Sequence, residues 1–471
     1  MPGRILPYAV LLICSFVLYG KSLFFEFIPS WDDSNYVLDN PFIRGLSLNN
    51  IKGIFTTTFI GNYAPLQSLS YVFDYAFWGL NPKGYHLSNI ILHGLNACGA
   101  YAVIRRITGA ESVAFMASLL FLVHPLNVEN VAWVSERKTL LATLFFFLSI
   151  IYYLDFRNNN SFKFYSLSII FFLFALLSKS TVIILPLILI AYEVFIVRKE
   201  YKWPALFPFF GLSAAATIVA IWSQMNDKSI ERGVITIKSL WGLVYPTMMP
   251  VFWKYGMLIF WPFNLSGYYD TTLYRSFLEL PVIISVAAWV TVFTLVLWKS
   301  NSLIRFWFLW FWICLLPVSN IIPIRVYYAD RYMYLPAITF FVLLGFVVKK
   351  LTGDVKPAEL IKKRAGNLLH LIYPSKRKIC YAAFALVVVY YSVIAYNRMD
   401  VWRNELVFWE DTAMKSPNLY KPRLNLGVAY EKIGRLADAE REYLAAAGIS
   451  QGEEALFNLR MTRTKMRLMN Q

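Results

Sequence analysis

Cysteine and acidic residues are both scarce in this chain of 471 residues. The four cysteines, Cys14, Cys98, Cys314 and Cys380, all lie inside apolar segments, which favours small core side chains over disulfide partners or zinc ligands. Asp and Glu number 28, against 45 Lys and Arg. Because most of these cations form short clusters between apolar runs, they are typical of topology signals in a membrane protein. No nucleic-acid partner is therefore expected.

Apolar residues dominate the composition. The chain is 58% hydrophobic and 18% aromatic, and its mean hydropathy is +0.51. A soluble chain of this length would suggest about three domains, but this composition places the chain in a lipid bilayer. We predict an all-α polytopic membrane protein that is surrounded by membrane lipids.

Eleven apolar segments are predicted to cross the membrane, starting from a cytoplasmic N-terminus. They lie near residues 5–25, 85–104, 111–126, 138–155, 164–178, 181–197, 205–225, 280–298, 304–322, 335–348 and 379–396. Most approach the roughly 17–25 residues that a spanning helix needs. Arg105 and Arg106, and then Arg157 with Lys163, fall on the cytoplasmic side, as the positive-inside rule requires. The odd number of crossings predicts an extracytoplasmic C-terminus.

The stretch 239–265 is apolar enough to cross, but Pro246, Pro250 and Pro262 interrupt it. If it crossed, the basic block that includes Lys349–Lys350 and Lys362–Arg364 would become extracytoplasmic. We therefore predict that this stretch is interfacial or re-entrant.

The chain is predicted to contain two domains. Residues 1–396 form the transmembrane catalytic domain, with a large first extracytoplasmic loop at 26–84, and residues 397–471 form a short extracytoplasmic helical module. The module matches the 34-residue tetratricopeptide pattern at Leu426, Gly427, Tyr430, Ala439, Tyr443 and Ala446. Since about three repeats are usually needed for stability, the module is expected to lean on the membrane domain or on a partner. We expect it to serve acceptor choice and not chemistry.

Two adjacent carboxylates, Asp32 and Asp33, open the first loop directly after the first apolar segment. A carboxylate within hydrogen-bond reach can take the proton of an attacking hydroxyl group. Two neighbouring like charges raise one pKa unless a cation lies between them. A divalent metal, His93 or His124 is therefore expected to neutralise the pair. The sequence does not distinguish between these, and it does not show which aspartate is the base.

A polar stripe follows one face of the second membrane helix. His86, Asn89, His93 and Asn96 are separated by steps of three, four and three residues, so they share a face that must look into the bundle. Such side chains either hydrogen-bond to neighbouring helices or line a polar cavity. Both interpretations stay open at this point, and no metal site is predicted there.

Further polar residues are predicted to reach the same side of the membrane as the two aspartates. They are His124, Glu129, Arg137, Lys138, Lys179, Asp330 and Arg331. A single cation at that depth can contact lipid headgroups or extend to the interface. Several charged groups that converge with two carboxylates at membrane depth instead indicate a functional site. We therefore predict a polar cavity there. Within it, Asp330 is expected to hold the guanidinium of Arg331.

Several motifs together resemble the membrane glycosyltransferases of the GT-C fold, and specifically the O-mannosyltransferase-like TMTC family, which ends in tetratricopeptide repeats. These motifs span nearly the whole chain. They are Trp31-Asp32-Asp33, 64–66 through 74–75, 84–89, 124–137, Ser178-Lys179 with Pro186, 261–265 and 329–336. The resemblance implies a bacterial enzyme of the inner membrane that moves a sugar from a polyprenyl-phosphate carrier to an acceptor on the extracytoplasmic face.

The same resemblance implies that an acidic residue of the first loop is the base. Two departures from the family pattern, Ala64 in place of an often-found Arg and Glu193 in place of a frequent Asp, bear on the identity of the donor. A sugar phosphate leaves as a stable anion and needs cations more than a general acid. This suits the four cations Arg137, Lys138, Lys179 and Arg331.

Attack opposite the leaving phosphate would invert the anomeric centre. A repeat module that binds extended peptides weakly favours the Ser or Thr of a protein as acceptor. Transfer of the lipid-linked sugar to a glycolipid or polysaccharide is the main alternative. A transporter would more often have two related halves, and the sequence contains no such repeat. A pure scaffold would not need the acidic loop.

Overall fold

The computed structural model describes residues 2–198, 200–226, 239–322, 324, 326–353, 369–450 and 452–469. The first part of the chain contains α1 (Pro2–Tyr19), α2 (Leu48–Thr56), α3 (Pro65–Trp78), α4 (Pro82–Thr108), α5 (Glu111–Val123), α6 (Val128–Ala132), α7 (Arg137–Asn159), α8 (Phe162–Ser178), α9 (Leu185–Tyr192) and α10 (Phe207–Asn226). The second part contains α11 (Tyr245–Phe260), α12 (Leu280–Lys299), α13 (Ser302–Leu315), α14 (Ile338–Leu351), α15 (Leu369–Met399), α16 (Glu405–Lys415), α17 (Tyr420–Lys432), α18 (Leu436–Ile449) and α19 (Glu453–Met469). No strand occurs in the described residues, so the predicted all-α class is confirmed.

The helices are those of an integral membrane protein, as predicted. In the described part of the chain, 7 helical segments are long and apolar enough to cross a bilayer. An eighth is added if Glu111–Val123 and Pro125–Ala132, which meet at a bend of 56°, form one span. Phe162–Ser178 and Ser302–Val318 are apolar but shorter. The count of eleven crossings stays a prediction.

Helix α11 has both ends at the same end of the bundle. The Tyr245 hydroxyl donates to the carbonyl of Ile321, just beyond α13, and His124, just beyond α5, donates to the carbonyl of Ile259. Helix α13 begins at Ser302 beside Arg198, at the end of the bundle that carries the basic clusters, and it finishes at the opposite end. These contacts support the prediction that 239–265 does not cross. Lys362–Arg364 of the basic block lie outside the described residues.

The first large loop, residues 26–84, folds around a small apolar core of its own. Its buried members are Phe27, Tyr36, Val37, Ile43, Ile54, Tyr71, Val72, Tyr85 and Val134. Since Tyr85 belongs to α4 and Val134 precedes α7, this core fixes the loop onto the membrane helices. The loop is therefore a folded platform for the aspartate pair.

The C-terminal helices α16 to α19, here called the repeat module, pack as successive antiparallel neighbours. A Cβ atom on Gly427 would lie 2.5 Å from the ring of Tyr443, so only glycine permits this approach of α17 to α18. The module also contacts the membrane domain, because the Trp409 indole donates to the Ser30 hydroxyl at 2.7 Å. The membrane domain thus supports the module, as expected for so few repeats.

Candidate active site

The two aspartates of the first loop have different environments. Asp33 is 1% exposed, and its Oδ2 accepts a hydrogen bond from the amide of Ile28 at 2.8 Å. Its Oδ1 accepts from both the amide (3.1 Å) and the hydroxyl of Ser135. Asp32 is partly exposed and has a left-handed backbone, with φ at 98°. The loop turns at Asp32, so that one carboxylate points inward and the other remains accessible.

Burial raises the pKa of Asp33 to about 7, and its hydrogen bonds with Ile28 and Ser135 counteract part of that rise. Burial also raises the pKa of Asp32, while the charges of Lys138, Lys421 and Arg331 lower it. Asp32 is therefore the accessible carboxylate surrounded by cations. The sequence left a metal, His93 and His124 open as the neutralising group, and neither histidine is among the charges that act most strongly on the Asp32 carboxylate.

Glu136 lies at the centre of the cations. Its Oε2 is 3.1 Å from Lys179 Nζ, and its Oε1 is 3.8 Å from Arg331 Nε and 3.9 Å from Lys138 Nζ. Glu136 is 1% exposed, and the hydroxyl of Thr139 also donates to it. The structure thus brings three of the four predicted cations together, on a carboxylate that the sequence reasoning did not single out. Its position next to Arg137 and Lys138 in the sequence could have identified Glu136 as a partner of the cations.

Glu129, and not Asp330, holds Arg331. The Arg331 Nη1 donates to Glu129 Oε1 at 2.6 Å, and the backbone amide of Arg331 donates to Glu129 Oε2 at 2.9 Å. Asp330 accepts a hydrogen bond from the Tyr269 hydroxyl at 2.5 Å instead. The predicted pairing of Asp330 with Arg331 is wrong, because consecutive residues in this short helical turn point in different directions.

Arg137 is a buried structural cation. It is 1% exposed, it forms an ion pair with Asp74, and it donates to Asn89 Oδ1 at 2.9 Å and to the carbonyl of Tyr85 at 2.7 Å. Its guanidinium also lies over the Tyr71 ring, 4.5 Å from the centroid. These contacts leave almost none of the side chain exposed and favour a structural role, so a grip of Arg137 on the donor phosphate stays a prediction.

The polar stripe on α4 faces the bundle, and most of its side chains bond to neighbouring helices. His93 donates to the carbonyl of Leu122 at 3.0 Å and accepts from the Tyr334 hydroxyl at 2.8 Å. Asn96 donates to the carbonyl of Leu140 at 2.9 Å.

Asn89 is buried and donates to the carbonyls of Val131 and Trp133, both at 3.2 Å. His86 is buried against Phe25, with ring centroids 6.1 Å apart. His124 is buried as well, and its Nδ1 accepts from the amide of Leu126.

These contacts fit the interpretation that the stripe bonds to neighbouring helices, and the lining of a polar cavity by the same residues stays a prediction. Glu129 and Asp330 are buried too, each 2% exposed. Polar groups buried among helices need partners, and the neighbouring segments supply them to the side-chain amides of Asn89 and Asn96 and to the ring of His93.

A cavity of about 250 Å³ opens beside the cations. Lys138 and Lys179 line one part of it, together with residues 61–64 of the first loop. Its remaining wall is largely apolar and comes from α8 and α10: Leu173, Leu176, Leu177, Leu212, Ala215, Ala216, Val219 and Ala220. Ala64, one of the two departures from the family pattern, lines this cavity. An anionic group with a long apolar tail would match both parts of its surface.

Glu193, the other departure, lies at the opposite end of the bundle. It is fully buried, pairs with Arg157 Nε at 3.0 Å and accepts from the Tyr153 hydroxyl at 2.8 Å. Arg157 belongs to the predicted cytoplasmic side. Glu193 therefore pairs within the bundle and is absent from the lining of the cavity, which includes Ala64.

The aspartate pair does not fit a two-carboxylate metal site. Both oxygens of Asp33 are occupied by N–H and O–H donors, which leaves Asp32 as the accessible carboxylate. Among the residues that the structure describes, no three His, Cys, Asp or Glu side chains cluster as metal ligands.

No known protein family's sequence profile matches the chain. It is 24% identical over 480 aligned positions to the protein O-mannosyl-transferase F38B6.6 of Caenorhabditis elegans, covering 94% of this chain and 63% of that protein. It is 22% identical to the Tmtc3 O-mannosyl-transferase of Drosophila melanogaster, covering 80% of this chain and 47% of that protein. Human TMTC3 is 31% identical over 201 positions, which cover 40% of this chain and 21% of the human protein.

The chain is thus similar in sequence to protein O-mannosyl-transferases of the TMTC group. The predicted resemblance to this family is confirmed. The chain spans less than two thirds of the length of the worm and fly relatives. Among solved structures, it is similar to ArnT from Cupriavidus metallidurans bound to undecaprenyl phosphate, with 13% identity, a TM-score of 0.45, and coverage of 94% of this chain and 80% of that one.

Proposed function

We propose that this protein is a glycosyltransferase that moves a sugar from a polyprenyl-phosphate carrier to a hydroxyl group, with Asp32 as the general base. One observation carries the proposal: Lys138 both lines the amphipathic cavity and acts electrostatically on Asp32. The cavity that suits a lipid phosphate and the accessible carboxylate therefore belong to one site. The names of the relatives, protein O-mannosyl-transferases, agree with this class of reaction.

In the proposed step, the acceptor oxygen attacks the anomeric carbon as the bond from that carbon to the phosphate oxygen breaks. The acceptor proton passes to Asp32, and the bonding electrons leave with the polyprenyl phosphate. Since the leaving group is already a stable anion, fixed positive charge assists its departure more than a proton would. Lys138, Lys179 and Arg331 supply this charge. Attack from the side opposite the phosphate inverts the anomeric centre.

The cavity supports the lipid character of the donor. Two lysines lie beside a surface of leucine, valine and alanine side chains on two membrane helices. A phosphate held by the lysines would direct its polyprenyl chain along that apolar wall toward the bilayer. A soluble nucleotide sugar has no long apolar chain that could pack against this surface.

We further propose that the acceptor is a Ser or Thr hydroxyl of a protein. The names of the relatives and the repeat module beside Asp32 favour this acceptor. A glycolipid or polysaccharide hydroxyl would need the same base and the same leaving group. Analysis of glycoproteins and glycolipids from a deletion strain distinguishes the two, because only the true product class loses its sugar.

The site is proposed to face the extracytoplasmic side of a bacterial inner membrane, together with the repeat module. Alkaline phosphatase fused after residue 400 should then be active, and the same reporter fused near residue 360 should be inactive. An inactive fusion after residue 400 would contradict this orientation.

The reaction is tested with purified protein, a panel of polyprenyl-phosphate sugars and peptide or glycolipid acceptors. We expect transfer from at least one donor, release of polyprenyl phosphate in equal amount, and an inverted product. Asp32→Asn should lower transfer by at least about a hundred-fold while the protein still binds the donor. Absence of donor binding across the panel would refute the proposal, as would full activity of Asp32→Asn.

A further inference from the structure

We propose that the repeat module is a part of the catalytic centre: α16 fixes the backbone just before Asp32, and Lys421 of α17 stabilises the ionised Asp32 carboxylate. This inference rests on the proposed function, because it assigns a partner to the proposed base. It replaces the expectation that the module serves acceptor choice alone.

Helix α16 holds the loop through two hydrogen bonds to one residue. The amide of Ser30 donates to Glu405 Oε1 at 3.1 Å, and the Ser30 hydroxyl accepts from the Trp409 indole at 2.7 Å. Glu405 is itself paired with Lys432 of α17 at 2.6 Å. Ser30 lies two positions before Asp32, so the module determines where the turn that presents Asp32 begins.

Trp31 fills the contact between the module and the membrane domain. Its ring centroid lies 5.6 Å from that of Phe408 and 5.3 Å from that of Trp409, both on α16. On the other side it lies 5.7 Å from Trp133, which precedes α7. Trp31 is 5% exposed, so its contact with the module is desolvated and contributes hydrophobic stabilisation. Trp31, which is adjacent to the proposed base Asp32, is therefore packed between the membrane domain and the repeat module.

Lys421 brings a positive charge to this contact. Its Nζ lies 4.7 Å from the centroid of the Trp31 ring, and its charge lowers the pKa of the neighbouring Asp32 carboxylate. The other charged groups with the largest effect on Asp32 are Lys138, Arg331 and Glu136, and these three come from the membrane domain. Asp33 lies beside it, with its oxygens engaged in the loop. Lys421 is therefore a residue of the repeat module whose positive charge favours the ionised form of Asp32.

The charge effect can be measured without turnover. Water-soluble carbodiimide with glycine amide modifies a carboxyl group in its protonated form, and mass spectrometry quantifies the product at Asp32 as a function of pH in the full-length protein. At low ionic strength, Lys421→Gln should move the midpoint of Asp32 modification upward by up to about one pH unit. Lys421→Arg should restore the midpoint, and high salt should reduce the shift because Lys421 is solvent-exposed.

Lys465→Gln is the matched control for the charge effect. It removes a cation of the same module whose partner, Glu431, also belongs to the module, and it should leave the Asp32 midpoint unchanged. An unchanged midpoint in Lys421→Gln, or an equal shift in Lys465→Gln, would overturn the role of Lys421.

The backbone contact is tested by hydrogen–deuterium exchange. Glu405→Ala should accelerate exchange in the peptide 28–36, whereas Glu440→Ala, which removes only a contact with Arg463 inside the module, should not. Equal exchange in both variants would overturn the role of α16. Because neither measurement needs sugar transfer, they test this inference even if the proposed reaction fails. If transfer is found, the acidic limb of its pH profile should move upward in Lys421→Gln.

Discussion

The backbone amide of Ser135 donates a hydrogen bond to Asp33 Oδ1 at 3.1 Å, and the Ser135 hydroxyl donates to the same oxygen. This contact joins the first loop to the segment that carries Glu136 and Lys138. Asp33 therefore has a structural task that Asp32 lacks. The two neighbouring carboxylates should respond differently to the same substitution.

We expect Asp32→Asn to lower transfer by about a hundred- to ten-thousand-fold, the usual contribution of a general base, with an unchanged melting temperature. Asp33→Asn should mainly destabilise the protein, by about 1–3 kcal/mol, because an amide cannot accept all the hydrogen bonds that the buried carboxylate accepts. Transfer assays and thermal unfolding of both variants provide the measurement. Near wild-type transfer by Asp32→Asn would remove it from the mechanism.

Asp33 should also make stability depend on pH. Burial raises its pKa to about 7 in the folded protein, from an ordinary value near 3.8. Between these two values the folded state binds more protons than the unfolded state, so this group's contribution to stability falls as the pH rises from about 4 to 7. The melting temperature measured at pH 5 and at pH 8 should therefore differ less in Asp33→Asn than in the wild type. An identical difference in both proteins would contradict the assignment.

Arg331→Lys should fold but bind the donor about tenfold more weakly, which corresponds to the loss of about one charged hydrogen bond. A lysine cannot keep the guanidinium geometry that Glu129 orients at 2.6 Å. Glu129→Gln should weaken donor binding in the same direction, because the guanidinium is then held less firmly. Donor affinity and melting temperature are measured on both variants. Full activity of Arg331→Lys, with loss in Arg331→Ala that follows the melting temperature, would indicate a structural ion pair only.

Arg137 should matter for stability and not for donor affinity. Arg137→Met leaves Asp74 buried without its cation and should cost about 3–5 kcal/mol. Adding Asp74→Leu should recover part of this loss, since no uncompensated charge then remains. Thermal unfolding of the two single variants and the double variant measures the coupling. If Arg137→Lys lost donor affinity at temperatures where the variant is folded, Arg137 would have to bind the donor phosphate.

Ala216 tests the cavity on α10. Ala216→Phe should fill part of the volume of about 250 Å³ and weaken donor binding by at least about tenfold, or about 1.4 kcal/mol. Ile218→Phe is the matched control, because Ile218 lies on the same helix and is 69% exposed. Donor affinity of the two variants, measured in the same detergent or lipid, is the readout. Equal donor affinities of the two variants would show that the donor does not bind in this cavity.

The sequence by itself determined the membrane class, the main helices and the position of the aspartate pair. Hydropathy and helical periodicity are averages over many residues, so they predict membrane helices even when the tertiary packing is unknown. The convergence of Lys138, Lys179 and Arg331 on one side of the membrane also followed from counting crossings. These features need no knowledge of any individual side-chain contact.

Only the tertiary structure decided the partners of individual side chains. It assigned Arg331 to Glu129, buried Arg137 against Asp74, and brought Lys421 of the repeat module to the loop of Asp32. Hydrogen bonds weaken steeply with small changes of distance and angle. The partner of a charged group therefore depends on how helices far apart in the sequence are rotated against each other, and residue spacing along one helix contains no record of that rotation.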